Sequence, residues 1–229
     1  GGGGCGLRVF CLRIGRPPRS TLLRCRTLLR CSMDGAMKNA FGGLLHRERH
    51  WTHSVIHETL TDLLAIQKEI HPGLFAVMDG TFAGDGPGPR AMRWHIKDRI
   101  LASNGQVGID AVAAEMMGFD PMGIKFIRLA HERGLGCGDV SRIKVVGEDI
   151  SQVNWKFTGV ENTFASRGQK LIYWGPLKPL EKMLLRSPIV GWAFLASNLY
   201  HNGYWLKMKG RRRINAALKT EWGKLFQSY

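Results

Sequence analysis

Acidic residues are scarce in this chain: 18 Asp and Glu stand against 33 Lys and Arg in 229 residues, a formal charge of +15. Such a shortage first points to an anionic partner, nucleic acid or a membrane surface. Cysteine is nearly absent beyond the first segment. Cys5, Cys11, Cys25 and Cys31 precede residue 32 and only Cys137 follows. No disulfide framework is expected, and a reducing, cytoplasmic compartment fits. The spacing C-x5-C-x13-C-x5-C is neither a C-x2-C zinc pattern nor a ferredoxin run, so no iron-sulfur cluster motif is present. No apolar run reaches the roughly 18 residues of a spanning helix. The G-K-[ST] of a P-loop is missing, and the body carries no recognised nucleic-acid motif, which disfavours nucleic acid as partner.

What is present is unevenly placed. Seven arginines (Arg8, Arg13, Arg16, Arg19, Arg24, Arg26, Arg30) lie in the first 31 residues, with no acidic residue among them. Removing them leaves 15 − 7 = +8. Four glycines open this stretch, and a near-repeat, STLLRC then RTLLRC, fills Ser20–Cys31. Residues 1–31 are therefore expected to be a non-native or disordered leader outside the fold. A second basic run, Lys207, Lys209, Arg211, Arg212 and Arg213, lies near the C-terminus. Hydrophobic residues make up 44%, enough for a sizeable core.

Along the body, periodicity predicts a helix over Met33–Gly43 closed by a glycine pair. It predicts a longer helix over Thr52–Ile70 with Val55, Ile56, Leu60, Leu63, Leu64 and Ile70 on one face. Leu74–Met78 reads as a buried strand, followed by a glycine-rich loop over Thr81–Arg90. Arg99–Ala102 and Ile143–Val146 read as further strands, and Val107–Met117 and Met122–Arg133 as helices. This alternation predicts an α/β class, a sheet of short, mostly buried strands flanked by helices. From Ser151 the texture becomes aromatic and proline-punctuated. Ser187–Tyr200 reads as an apolar helix and Arg211–Phe226 as a terminal one. The expected organisation is a partial α/β domain over 32–150 with a helical extension, 151–229, packed on it.

Several strings carry a family resemblance: GAMKNAFGG (Gly35–Gly43), FAVMDGTFAGDGPGPRAM (Phe75–Met92), ILASNGQVGIDAVAAEMMGFDP (Ile100–Pro121) and AHERGLG (Ala130–Gly136). In order and spacing they resemble the family catalogued as domain of unknown function 362. The tail strings GPLKPLEK, YHNGYW and TEWGKLFQSY are similar to one branch of it. Members usually carry a Lys-x-Lys-Thr-His segment and more βα structure upstream, so the resemblance implies a chain truncated at its N-terminal side. Many members carry ferredoxin-type clusters, which implies an iron-sulfur-associated, redox context and a redox partner protein.

Four groups of residues are candidates for chemistry. Asp79 and Asp85 flank glycines Gly80, Gly84, Gly86 and Gly88 after a buried strand, where ligands of open α/β sheets bind. The glycines would let backbone approach an anion that Arg90 pairs. Lys38 and Asn39 lie between small and apolar residues in a helix, as an active-site lysine or anion clamp would. Asp79 or Asp85 would ligate a cation or act as base, and the loop is expected to meet the Lys38 helix in one pocket. His50, His53 and His57 have H-x2-H-x3-H spacing, which on a helix suits a divalent metal. Asp110, at the apolar start of a helix, suits that helix's own positive end. The alternative to a metal- or anion-binding α/β protein in redox-linked chemistry is a non-catalytic module. It would dock on an anionic membrane or protein through residues 187–213, where Trp192, Phe194, Tyr200, Tyr204 and Trp205 adjoin the basic run.

Overall fold

The computed structural model describes residues 6–13, 35–45, 49–87, 91–159, 172, 175–180, 183 and 191–228. Its main sheet has the order β2-β5-β1-β6, from β1 (Arg8–Arg13), β2 (Ala76–Asp79), β5 (Arg99–Ser103) and β6 (Lys144–Gly147). The pairs β2–β5 and β5–β1 are antiparallel and β1–β6 is parallel. A second sheet is the hairpin of β3 (Phe82–Asp85) and β4 (Arg93–Ile96). Around them lie helices α1 (Ala36–Leu44), α2 (Ile56–Ile70), α3 (Gln106–Met117) and α4 (Lys125–Glu132). The fold is mixed α/β, as the alternation of elements predicts.

Strand β1 corrects one expectation. It lies inside the stretch expected to be a leader outside the fold, yet it sits between β5 and β6. Its alternation explains this: Val9 and Cys11 point into the core and are fully buried, while the arginines take exposed positions. The period of two lies in burial and not in polarity, because the outward Phe10 and Leu12 are apolar as well. Leu7, just before it, fills the space above Gly105 and Gly108, where a Cβ would collide with its methyl groups.

The sheet's two faces differ. Cys11, Leu101 and Met78 are register partners and all buried. They pack with Met37 and Phe41 of α1 and the apolar residues of α3 in one core. The neighbouring row, Phe10–Ala102–Val77, points the other way, and Phe10 and Val77 are exposed. Helix α3 is buried around most of its circumference, from Gln106 through Ala114, as its near-continuous apolar sequence requires. Gly118, in the left-handed region at φ 94°, closes it and returns its N–H to Ala114 and Glu115 carbonyls, a glycine end typical of helices.

Three further expectations change. The Thr52–Ile70 helix is a 3₁₀ turn over Arg49–Val55 followed by α2. The Thr81–Arg90 loop is largely the hairpin, with β3 inside it. A single Cys137 thiol was expected, but Cys137 is disulfide-bonded; Cys11 is a free, buried thiol.

After residue 191 the chain is helical: α5 (Gly191–Asn198), a π-helical segment over Leu199–Gly210, α6 (Arg211–Leu218) and α7 (Glu221–Gln227). Thr220 breaks the expected single terminal helix by accepting Gly223 N–H at 3.0 Å as an N-cap. This tail packs on the hairpin. Trp94 Nε1 donates to the Arg213 carbonyl at 3.0 Å, and Trp222 Nε1 to Asp98 Oδ1 at 2.8 Å. Phe82 meets Phe226 at 5.9 Å between centroids. Among the described residues, no helix is long and apolar enough to cross a membrane.

Candidate functional site

The described residues of the expected composite pocket occupy different settings. Asp79 ends β2 and accepts from Thr81 N at 2.8 Å and Thr81 Oγ1 at 2.6 Å. Its carboxylate closes the local turn, a role suited to Asp. Strand alternation puts it on the side of Val77, opposite Met78. Helix α1, with the buried Lys38, packs on the Met78 side. The sheet therefore separates Lys38 from Asp79. Asn39 is exposed on α1.

Asp85 is committed internally as well. Nearly buried, it accepts from Thr158 N at 2.9 Å, Thr158 Oγ1 at 3.0 Å and Gly159 N at 3.2 Å. Arg93 Nη2 approaches its second oxygen at 3.3 Å. Burial pushes the Asp85 carboxyl up, but the bonds from Thr158, Arg93 and Gly159 outweigh it and hold it below its ordinary value. Asp85 thus ties the hairpin to the chain at 158–159. Gly84 leaves room for the Met92 thioether, and Gly86 adopts φ 82° beside the Arg93 guanidinium. Gly88 and Arg90 lie outside the described residues.

Of the three histidines, His53 and His57 are described, and their settings differ. The 3₁₀ turn ends at Val55, so His53 and His57 belong to different helical geometries. The His53 ring stands edge-on to Phe41 at 5.5 Å. The His57 ring stacks on Phe126 at 6.1 Å. Burial pushes the His57 pKa down, and Lys125 and Lys38 add to this, against Glu58. The His50 side chain lies outside the described residues. Among the described residues, no group of three or more His, Cys, Asp or Glu could hold a metal ion.

Asp110 does cap a helix, but not its own. Fully buried, it accepts from Ala36 N at 2.5 Å and Met37 N at 3.1 Å, the first amides of α1. Gly35, just before α1, leaves the space its carboxylate occupies; a Cβ there would overlap Asp110 Oδ1. The sequence signal was a lone carboxylate in an apolar helix together with the glycine before AMKN.

Two surface features belong to the tail. The first is a row of exposed apolar side chains: Leu195, Leu199, Tyr204 and Met208, 59%, 61%, 57% and 62% exposed. Their spacing is four, five and four residues. An α-helix would turn Tyr204 and Met208 away from Leu195. The π-helical hydrogen bonding, from i to i+5, lets residues four and five apart share a side. Lys207, Lys209, Arg211 and Arg212 are all exposed beside this row. Trp192 and Phe194 side chains lie outside the described residues, and Trp205 turns inward to Gly210 and Arg213.

The second feature is a cleft of about 410 Å³ between β4 and the tail. Met92, Trp94, Trp205, Leu206, Ile214 and Leu218 line it, with Arg213 at its side. Arg213 Nη1 donates to the carbonyls of Ala91 at 2.8 Å and Met92 at 3.2 Å. Its guanidinium carbon lies 5.9 Å from the Trp205 ring centre. Among the described residues no carboxylate pairs with it.

The family model described as Domain of unknown function (DUF362) matches residues 25–115. That segment, 91 of the 229 residues, is similar to the DUF362 family. The match runs from Cys25, inside the stretch expected to be foreign, through α1, α2, β2–β5 and most of α3. No curated protein and no solved structure matches the chain. The DUF362 segment holds Asp110 and its α1 partner, whereas the tail row lies beyond it and the cleft is only partly inside it, through Met92 and Trp94.

Proposed function

We propose that this chain docks peripherally on an anionic membrane surface through residues 191–212, as a binding module. One observation carries the reading: the exposed row Leu195–Leu199–Tyr204–Met208 lies beside four exposed basic side chains. Apolar side chains next to Lys and Arg are the composition of interfacial helices. Each basic residue near an anionic bilayer contributes about 1 kcal/mol, so Lys207, Lys209, Arg211 and Arg212 together supply about 4 kcal/mol. The apolar row adds burial in the headgroup region. Arg213, counted with this run in the sequence, is engaged with the hairpin instead.

A metal or anionic cofactor at the 79–90 loop in redox-linked chemistry has weaker support. Both carboxylate oxygens of Asp85, and Oδ1 of Asp79, already accept protein hydrogen bonds. Co-sedimentation with vesicles tests the docking reading. The full chain should pellet with vesicles rich in phosphatidylserine, stay in solution with phosphatidylcholine alone, and be released by salt. Failure to pellet with either at low salt would remove the membrane as partner and leave a protein surface as the occupant of the row.

A further inference from the structure

We propose that the cleft between β4 and the tail is a separate binding site for a single-chain alkyl anion of the fatty-carboxylate class. The hydrocarbon would lie against Trp94, Trp205, Leu206, Ile214 and Leu218, and the carboxylate would pair with Arg213. Three observations lead to this ligand. The first is size. The cleft, about 410 Å³, falls within the ~300–1,000 Å³ range of small-molecule sites. At roughly 30 Å³ per water-sized group, it takes a chain of about a dozen carbons.

The second is the economy of polar groups. The walls are mainly aliphatic and aromatic, with His201, Asn202 and Arg213 as the polar side chains besides the indoles. The Trp94 indole N–H, a donor suited to a ligand heteroatom, is already donated to the Arg213 carbonyl. A sugar or nucleobase would leave its hydrogen-bonding groups unmatched on such walls. A hydrocarbon body would not.

The third is the charge. The Arg213 guanidinium is held in place by the Ala91 and Met92 carbonyls through Nη1, beside the Trp205 ring. Those bonds orient it without neutralising it. Its Nε and Nη2 donors make no bond with the described residues. An oriented guanidinium with two donors to spare fits a carboxylate. Trp94 and Arg213 come from opposite sides of the cleft, 119 residues apart, and are already linked by their own bond. The site is therefore preformed.

This inference uses the cleft residues and not the exposed row, so each reading can fail alone. The test is titration of the full chain with dodecanoate below its micelle concentration, followed by tryptophan fluorescence and calorimetry. Dodecan-1-ol and dodecyltrimethylammonium serve as controls. The intact protein should bind dodecanoate and change its tryptophan emission, and bind the alcohol at least ten-fold more weakly. Arg213→Gln should weaken dodecanoate by about ten- to a hundred-fold, and Arg213→Lys should restore part of the loss. Ala217→Trp, which fills the cleft from α6, should abolish binding while circular dichroism stays native. Absence of dodecanoate binding by the intact protein would overturn the proposal. So would equal affinity for the alcohol, or unchanged affinity in a folded Ala217→Trp. Loss of vesicle binding in Ala217→Trp would mean that cleft and docking row are one site, and would overturn the separate ligand.

Discussion

Asp110→Ala is expected to be among the most damaging single substitutions in this protein. The carboxylate is wholly buried and accepts from the first two amides of α1, Ala36 and Met37. Truncation to Ala leaves two donors facing an apolar hole. A buried donor left unsatisfied costs about 1–3 kcal/mol, so two cost about 2–6 kcal/mol. The loss of a carboxylate at the positive end of α1 acts in the same direction. We expect about 3 kcal/mol, a large share of the ~5–15 kcal/mol by which domains are stable. Asp110→Asn keeps one acceptor oxygen and turns an N–H toward the second amide, so it should cost about half as much. Gly35→Ala should approach the Asp110→Ala loss, because its Cβ would enter the space of the carboxylate. Urea unfolding followed by circular dichroism measures all three. A loss below about 1 kcal/mol for Asp110→Ala, or equal losses for Ala and Asn, would refute the interhelical cap.

Three other expectations follow from the same geometry. Asp85 has a pKa lowered from 3.8 in the folded state, so its stabilisation is full above pH 3.8 and is lost as pH falls through the lower folded value. Asp85→Asn should flatten that part of an acid titration, and an unchanged acid limb would count against the Thr158 tether. His57 has a pKa lowered from 6.5. Below pH 6.5 the unfolded chain takes up a proton that the folded chain refuses, so stability drops until the folded pKa is reached. His57→Gln should remove that step from melting temperatures measured between pH 7 and 4; persistence of the step would assign it elsewhere. Deleting residues 1–13 removes β1 from between β5 and β6, and with it the buried Val9 and Cys11. Cooperative unfolding should disappear, whereas an intact transition would contradict the strand order.

How much was legible in the sequence depended on whether an element's period was left undisturbed. Helices α2 and α3 were readable because Leu60, Leu63, Leu64 and the apolar run of α3 keep helical spacing. Strands β2, β5 and β6 lie within two residues of their expected bounds. Strand β1 is hard to read because Phe10 and Leu12 make its outward side apolar too, so no polar alternation marks it, and the arginines around it dominate the composition. Strand β3 reads as part of the Thr81–Arg90 loop because Gly84 and Gly86 dominate its appearance and the strand has only four residues.

The candidate site was less legible. A carboxylate that binds a ligand and one that closes a turn look alike in sequence. Only the bonds from Thr81 and Thr158 distinguish them. The same holds for His53 and His57, whose spacing suggested a metal while their rings pack on Phe41 and Phe126. The basic aromatic tail was visible. Its apolar row was not, because α-helical spacing scatters residues that the π-helical segment aligns. In the sequence Arg213 reads as one more member of a charge run, whereas its bonds to the hairpin set it apart.

The docking reading is tested most directly by the double variant Arg211→Ala/Arg212→Ala in vesicle co-sedimentation. These side chains are exposed and, among the described residues, make no hydrogen bond or ion pair such as that of Arg213. At about 1 kcal/mol each, their loss should weaken partition onto phosphatidylserine-rich vesicles by about thirty-fold at low salt, with the melting temperature unchanged. Equal partition of the variant and the intact chain would contradict docking through this face.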